Sequence, residues 1–223
     1  MTKKLFFQAI VKYISGLALF GALLFVPAGT IRYPNGWLLI IVLFVPMLIA
    51  GIVMMFKNPE LLKKRLNAKE EEKAQKVVIA FSGIMFLAAF VVAGLNFRWK
   101  WFLLPRWAVI LGTVIFLLAY AMYAEVLREN TFLSRTVEVQ DNQTVIDTGL
   151  YGLVRHPMYS ATLFLFLSMG IILGSLLSFA ILFLYIPIIA KRMKNEEKVL
   201  EEGLEGYQEY KSKVKYKVIP FVW

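Results

Sequence analysis

Gly149-Leu150-Tyr151-Gly152-Leu153-Val154-Arg155-His156-Pro157-Met158-Tyr159 holds the only histidine of the chain, an arginine and two tyrosines, directly before a long apolar run. Proline is well tolerated in the first turn of a helix, where its missing N–H would have no partner anyway. Pro157 therefore reads as the start of a helix that enters a membrane, with Arg155 and His156 at its mouth. A helix N-terminus presents unpaired N–H groups and a partial positive charge, which suits a carboxylate or a phosphate. The alternative is an interfacial cap in which Arg155 and Tyr159 anchor to lipid headgroups.

On the C-terminal side, the apolar run 158–190 is too long for one span and is broken at Gly174-Ser175. It reads as a helical hairpin of two tilted or short helices. Gly170 and Gly174 form a small-xxx-small pair, which points to close helix packing near the turn. The last span is expected to end near Ala190 and to run directly into Lys191-Arg192-Met193-Lys194-Asn195-Glu196-Glu197-Lys198-Val199-Leu200. The tail carries Tyr207, Tyr210, Lys211, Lys213, Lys215 and Lys217 and ends in Ile219-Pro220-Phe221-Val222-Trp223, a basic aromatic segment suited to an anionic leaflet.

On the N-terminal side, residues 128–156 are polar. Arg128, Glu129, Asn130, Arg135, Glu138, Asp141, Asn142 and Asp147 are concentrated there, and Thr136-Val137-Glu138-Val139 alternates like a short extended segment. Four apolar segments precede it, at 5–29, 37–56, 77–95 and 107–127. The first has no small-residue cleavage site and is expected to be retained as a span. A charged loop at 57–76, with Lys63, Lys64, Arg65, Lys69 and Lys73 interleaved with Glu70, Glu71 and Glu72, is expected to present a solvated helical face. The chain is thus expected to be an all-α polytopic membrane bundle of about six spans. Residues 1–127 form a four-span region and 128–223 a core of connector, hairpin and tail helix.

Of the 223 residues 59% are hydrophobic, well above the roughly 45–50% of soluble domains, and the mean hydropathy is +0.66. The net charge of +10 is better explained by basic loops beside spans than by nucleic acid. Positive charge is denser in the N-terminus and the 57–76 loop than in the turn at Arg32, which predicts cytoplasmic termini and a cytoplasmic face for residues 128–156. The absence of cysteine removes thiolate chemistry and disulfides, and a single histidine argues against a metal centre. Neither a glycine-rich dinucleotide loop nor a phosphate-loop lysine motif is present.

Arg192 and Glu196 stand four apart and share a helix face at the membrane boundary. They could form only a surface ion pair, which stabilises little, but ionisable residues facing a bundle interior are functional candidates. Together Tyr151, Arg155, His156, Tyr159, Arg192 and Glu196 offer cations for a carboxylate, a carboxylate for an ammonium or ribose hydroxyls, and aromatic faces for a base or a sulfonium. That inventory suits S-adenosylmethionine, and equally a phospholipid headgroup.

These residues carry a resemblance. Gly149-Leu150-Tyr151 and Arg155-His156-Pro157-Met158-Tyr159 are followed by Arg192-x-x-x-Glu196-Glu197-x-x-Leu200, Tyr207-x-x-Tyr210 and Pro220. In this pattern, residues 128–223 resemble the integral-membrane isoprenylcysteine carboxyl methyltransferases, a family related to phospholipid methyltransferases. The family's usual Phe-Gly before the tyrosine pair is replaced by Leu204-Glu205-Gly206. The resemblance implies a cytoplasmic S-adenosylmethionine pocket without a Rossmann fold, lined by Tyr151, His156, Pro157, Met158 and Tyr159. Glu196 and Glu197 would hold polar groups of the cofactor, and Gln143-Thr144-Val145-Ile146 would cover it. Arg192, which would meet the acceptor carboxylate, and Arg155 are the catalytic candidates, with no metal.

The expected activity is methyl transfer to a lipophilic acceptor, first a prenylcysteine-type carboxylate. The alternatives are a phospholipid or lipid-amine N-methyltransferase, or a non-catalytic membrane scaffold. Partners would be a lipophilic or lipidated acceptor and membrane lipid, without nucleic acid, in a prokaryotic cytoplasmic membrane.

Overall fold

The structure, a computed structural model, describes residues 3–66, 73–133 and 137–223. Lys69, Glu70, Glu71 and Glu72 of the charged loop, and Arg135 and Thr136 of the connector, lie outside the described residues. Helices α1 (Lys3–Ala28), α2 (Pro34–Lys57), α4 (Lys73–Trp99) and α5 (Arg106–Glu129) are each long and apolar enough to cross a bilayer. Between them α3 (Pro59–Leu66) turns Leu61 and Leu62 inward. The hairpin follows as α6 (Pro157–Ile172), α7 (Leu176–Leu182) and α8 (Tyr185–Gly203), and α9 (Tyr207–Lys213) closes the helical part.

No strand occurs among the described residues. Val137, Glu138 and Val139, expected to be extended, have no partner strand among the described residues. The last span also departs from expectation. It breaks at Phe183 and Leu184, so α7 and α8 are separate helices, and α8 continues past Ala190 to Gly203. At 16 residues, α6 is about 24 Å long, short of a hydrocarbon core of roughly 30 Å.

Large apolar side chains face outward on the long helices, as a lipid-facing surface requires: Ile84, Ile110 and Leu118 are each 66% exposed. Inside, Leu24, Leu39, Phe44, Phe90, Phe116, Leu163, Ile172 and Met193 belong to one buried cluster. Phe20 meets Phe44 edge-on at 5.4 Å and Phe90 at 4.7 Å, tying α1 to α2 and α4 with aromatic geometry.

Gly170 packs as its spacing predicts: a Cβ there would lie 2.5 Å from the backbone nitrogen of Phe179, so the α6–α7 approach depends on its absence. Gly174 does something else. Its φ of +69° is the left-handed value that glycine accepts at no steric cost, and it turns the hairpin.

The connections sort to two ends. At one, Tyr33 Oη donates to the Leu173 carbonyl (2.6 Å) and Leu104 N to the Gly174 carbonyl (2.9 Å). At the other, Lys12 Nζ donates to the Leu66 carbonyl and Gln75 Nε2 to the Arg192 carbonyl (3.3 Å). The connector, the end of α8 and the tail all lie at this second end.

Candidate functional site

The site is assembled where α6 begins. Pro157 is the first helical residue and His156 the N-cap. Upstream, a 3-10 turn at Gly149–Gly152 delivers Tyr151 to the interior. The backbone ahead of Pro157 is held by the tail: Arg155 N donates to the Tyr216 carbonyl (2.9 Å) and His156 N to the Lys217 carbonyl (2.8 Å). Ser160 Oγ, one turn into α6, donates to the Val218 carbonyl (2.6 Å).

Beneath this backbone lies a buried ionic cluster. Arg155 Nε donates to Glu197 Oε1 at 2.9 Å, and Nη1 donates to the carbonyls of Val214 (2.7 Å) and Lys215 (2.9 Å). His156 Nε2 lies 3.2 Å from the same Glu197 oxygen, and Lys217 Nζ is 3.1 Å from Oε2. Glu197 is therefore the common acceptor of three side chains, the arrangement that makes a buried carboxylate tolerable. The interfacial-anchor reading of Arg155 and Tyr159 does not survive: they are only 7% and 3% exposed, because the tail covers the helix start.

Above the cluster opens a pocket of about 850 Å³, counting the part that merges with solvent. Gln143, Thr144, Val145 and Ile146 of the connector line it, with Tyr151, Arg155, His156, Met158, Tyr159, Arg192 and Glu196. The two sequence-predicted residues that do not border it are Pro157 and Glu197. Pro157 starts the helix behind Met158, and Glu197, one position on from Glu196, points into the ionic cluster.

Tyr159 links the two predicted charges of α8. Its hydroxyl donates to Glu196 Oε2 (2.5 Å) and accepts from Arg192 Nε (2.9 Å), so Arg192 and Glu196 are joined through a buried phenol rather than lying at a surface. Gln75 of α4, fully buried, adds its Oε1 3.5 Å from Arg192 Nη1. Gln75 thus links the N-terminal region to the site.

Sequence reasoning did not assign Leu200 and Leu204, nor Asn130, Phe132, Leu133, Val137 and Glu138 of the connector, to the lining. Tyr207 and Tyr210 of the tail were also missed as lining residues. Part of this was legible: positions 192, 196, 200 and 204 repeat every four residues, one stripe of a helix. The connector residues carry no such periodicity. Asn130 Nδ2 donates to Tyr151 Oη (2.9 Å) and Tyr210 Oη to the Tyr151 carbonyl (2.8 Å). Burial pushes the phenols of Tyr151, Tyr207 and Tyr210 well above the ordinary tyrosine range, which keeps them protonated. Tyr207 Oη is buried with no hydrogen-bond partner among the described residues.

Residues 105–205 match the model of a family described as phospholipid methyltransferase. The matched stretch begins just before α5 and runs through the connector and hairpin to the end of α8. It contains every sequence-predicted site residue. In this region the chain is similar to that family of integral-membrane methyltransferases, which includes the isoprenylcysteine carboxyl methyltransferases. No curated protein matches the chain.

Proposed function

We propose that this membrane methyltransferase binds S-adenosylmethionine in the cavity at the start of α6 and methylates a lipophilic acceptor, first a prenylcysteine-type carboxylate. The observation that carries the reading is the Glu196–Tyr159–Arg192 chain. It sets a carboxylate and a guanidinium side by side in a cavity that abuts the spans. The residues fit the methyl donor. Glu196 offers a carboxylate for its ammonium or ribose hydroxyls, and Arg155 borders the cavity with its Nη2 uncommitted among the described residues. That nitrogen suits the donor's own carboxylate.

The bound donor would supply a methyl group on a positively charged sulfur. A carboxylate oxygen forms the new bond to carbon as the carbon–sulfur pair returns to sulfur, so the acceptor releases no proton. Such a displacement requires alignment more than acid–base help. Arg192, held by Tyr159 and Gln75, would orient an acceptor carboxylate. Glu197 would act at one remove, by fixing Arg155 and His156. The positive-inside count supports a cytoplasmic site.

The family description favours a second acceptor, a phospholipid amine. An amine must lose a proton, and Glu196 would then be the base. Calorimetric titration of the detergent-purified protein with S-adenosylmethionine and S-adenosylhomocysteine tests the cofactor reading. Saturable binding lost in Glu196→Ala supports it, and no binding by folded protein in lipid overturns it. Transfer of a labelled methyl group to farnesylated N-acetylcysteine, against phosphatidylethanolamine vesicles, then separates oxygen from nitrogen as nucleophile.

A further inference from the structure

After α9 the chain turns toward the bilayer. The backbone of Tyr216 and Lys217 runs beside the start of α6, and the Val218 carbonyl accepts from Ser160 Oγ one turn inside that helix (2.6 Å). Val218 is buried in the main apolar cluster, against which Ile219 and Trp223 also pack. There the chain doubles back. The Trp223 main-chain oxygen accepts from the N–H groups of Lys217, Val218 and Ile219 (2.9, 2.9 and 3.0 Å), and Trp223 N donates to the Ile219 carbonyl (2.9 Å). Residues 217–223 thus form a closed hook, with Val218, Ile219 and Trp223 seated against the bundle at the depth of the first turn of α6.

The tip of the hook is apolar. Phe221 and Val222 are 86% and 77% exposed, more than the lipid-facing Ile84, Ile110 and Leu118 of the spans. Phe221 stands at a φ of +64°, a left-handed conformation that bulky side chains rarely adopt. Its ring lies 5.2 Å from that of Tyr216, which extends the apolar tip by a second aromatic. Among the tail lysines, Lys211, Lys213 and Lys217 pair with Glu201, Glu209 and Glu197. Lys215 is exposed and pairs with no carboxylate among the described residues. Aromatic and aliphatic groups level with the start of an apolar helix, beside an unpaired cation, match the boundary between anionic headgroups and acyl chains.

We propose that the 217–223 hook is an interfacial anchor. Phe221 and Val222 enter the headgroup–acyl boundary of the bilayer that the spans cross, and Lys215 meets the phosphate of an anionic lipid. The segment that leads into the hook supplies the carbonyls of Val214, Lys215, Tyr216 and Lys217 that hold Arg155 and His156. Membrane contact and buried ionic cluster therefore share one stretch of backbone. The anchor stands whether or not the cavity binds S-adenosylmethionine.

The chain has no cysteine, so Val222→Cys gives a single labelling site. The full-length variant, carrying a nitroxide, is placed in vesicles of phosphatidylcholine with phosphatidylglycerol. Its collisions are measured with oxygen, which concentrates among acyl chains, and with a water-soluble nickel chelate. Labelled Leu118→Cys and Glu205→Cys, both exposed positions, serve as the lipid and water references. The label at 222 is expected to favour oxygen as Leu118→Cys does. Lys215→Gln in that background should raise the nickel-accessible fraction about fivefold in these vesicles and leave it unchanged in pure phosphatidylcholine. Phe221→Cys, labelled in the same way, gives a second reading should Val222→Cys not fold.

Nickel collisions equal to those of Glu205→Cys would put the tip in water and overturn the proposal. Shielding from both reagents would mean that protein covers the tip, a second copy or another chain, and would overturn it too. An effect of Lys215→Gln that is absent, or equal in both kinds of vesicle, would overturn the pairing of Lys215 with an anionic headgroup.

Discussion

The four long helices of residues 3–129 and the region that follows them solve opposite problems. In α1, α2, α4 and α5 the outward faces are apolar and the interior is a set of interlocked aliphatic and aromatic side chains. From the connector onward the helices are short or broken, and the interior holds Arg155, His156 and Glu197 at 7% exposure or less. The first region owes its shape to length and hydrophobicity. The second owes its shape to polar groups that must find partners away from water. A substitution should therefore cost most where it breaks a pairing in the second region and least where it trims a lipid-facing side chain in the first.

The largest effect is expected at Glu197. Removing its carboxylate strands Arg155 in a buried site, and Glu197→Ala should destabilise the protein by about 3–5 kcal/mol and abolish S-adenosylhomocysteine binding. Thermal unfolding and titration of the same preparation check both. A near-wild-type unfolding temperature would erase the proposed distinction between the two regions.

Next comes Phe116, fully buried in the first region. Truncation to alanine there should cost roughly 3 kcal/mol through the cavity it leaves, with binding affinity unchanged in the protein that remains folded. Gly170→Ala, which pushes a methyl against the Phe179 backbone, should cost about 1–3 kcal/mol, read from the unfolding temperature.

Glu196→Ala and Arg192→Ala sharpen the comparison by separating function from stability. Each gives up a hydrogen bond to the buried Tyr159 hydroxyl and is expected to lower stability by about 1–2 kcal/mol, less than Glu197→Ala. The first should lose cofactor binding, and the second should keep it while losing methyl transfer. Cofactor binding by Glu196→Ala at wild-type affinity would remove Glu196 from the donor site. The smallest effect belongs to lipid-facing positions: Leu118→Ala should stay within about 0.5 kcal/mol and leave both readouts alone.

The first region was readable because hydropathy over some twenty residues is a local signal. Its four spans lie within a few residues of their expected limits. Proline at the start of α6 was readable for the same reason, since a missing N–H has a place only in the first turn. The break at Phe183 and Leu184 was not read from hydropathy; its mark is Pro187, whose missing N–H cannot bond the Phe183 carbonyl four residues earlier and whose ring crowds it. Nor was the role of Glu197 distinguishable from that of Glu196. Adjacent residues on a helix point about 100° apart, and only the fold says which direction holds Arg155 and which holds the cavity. The carbonyls that receive Arg155 come from Val214 and Lys215, and a backbone acceptor some sixty residues away leaves no mark on side-chain identity.

That last contact bears on how the protein is made. All the spans precede residue 214 in the order of synthesis, so they can enter the bilayer while Arg155 and His156 still lack the carbonyls of 214–217. A chain truncated before Val214 would keep every helix long enough to cross the membrane yet lack the carbonyls that hold Arg155 and His156. Spanning the bilayer and completing the buried ionic cluster thus depend on different parts of the chain.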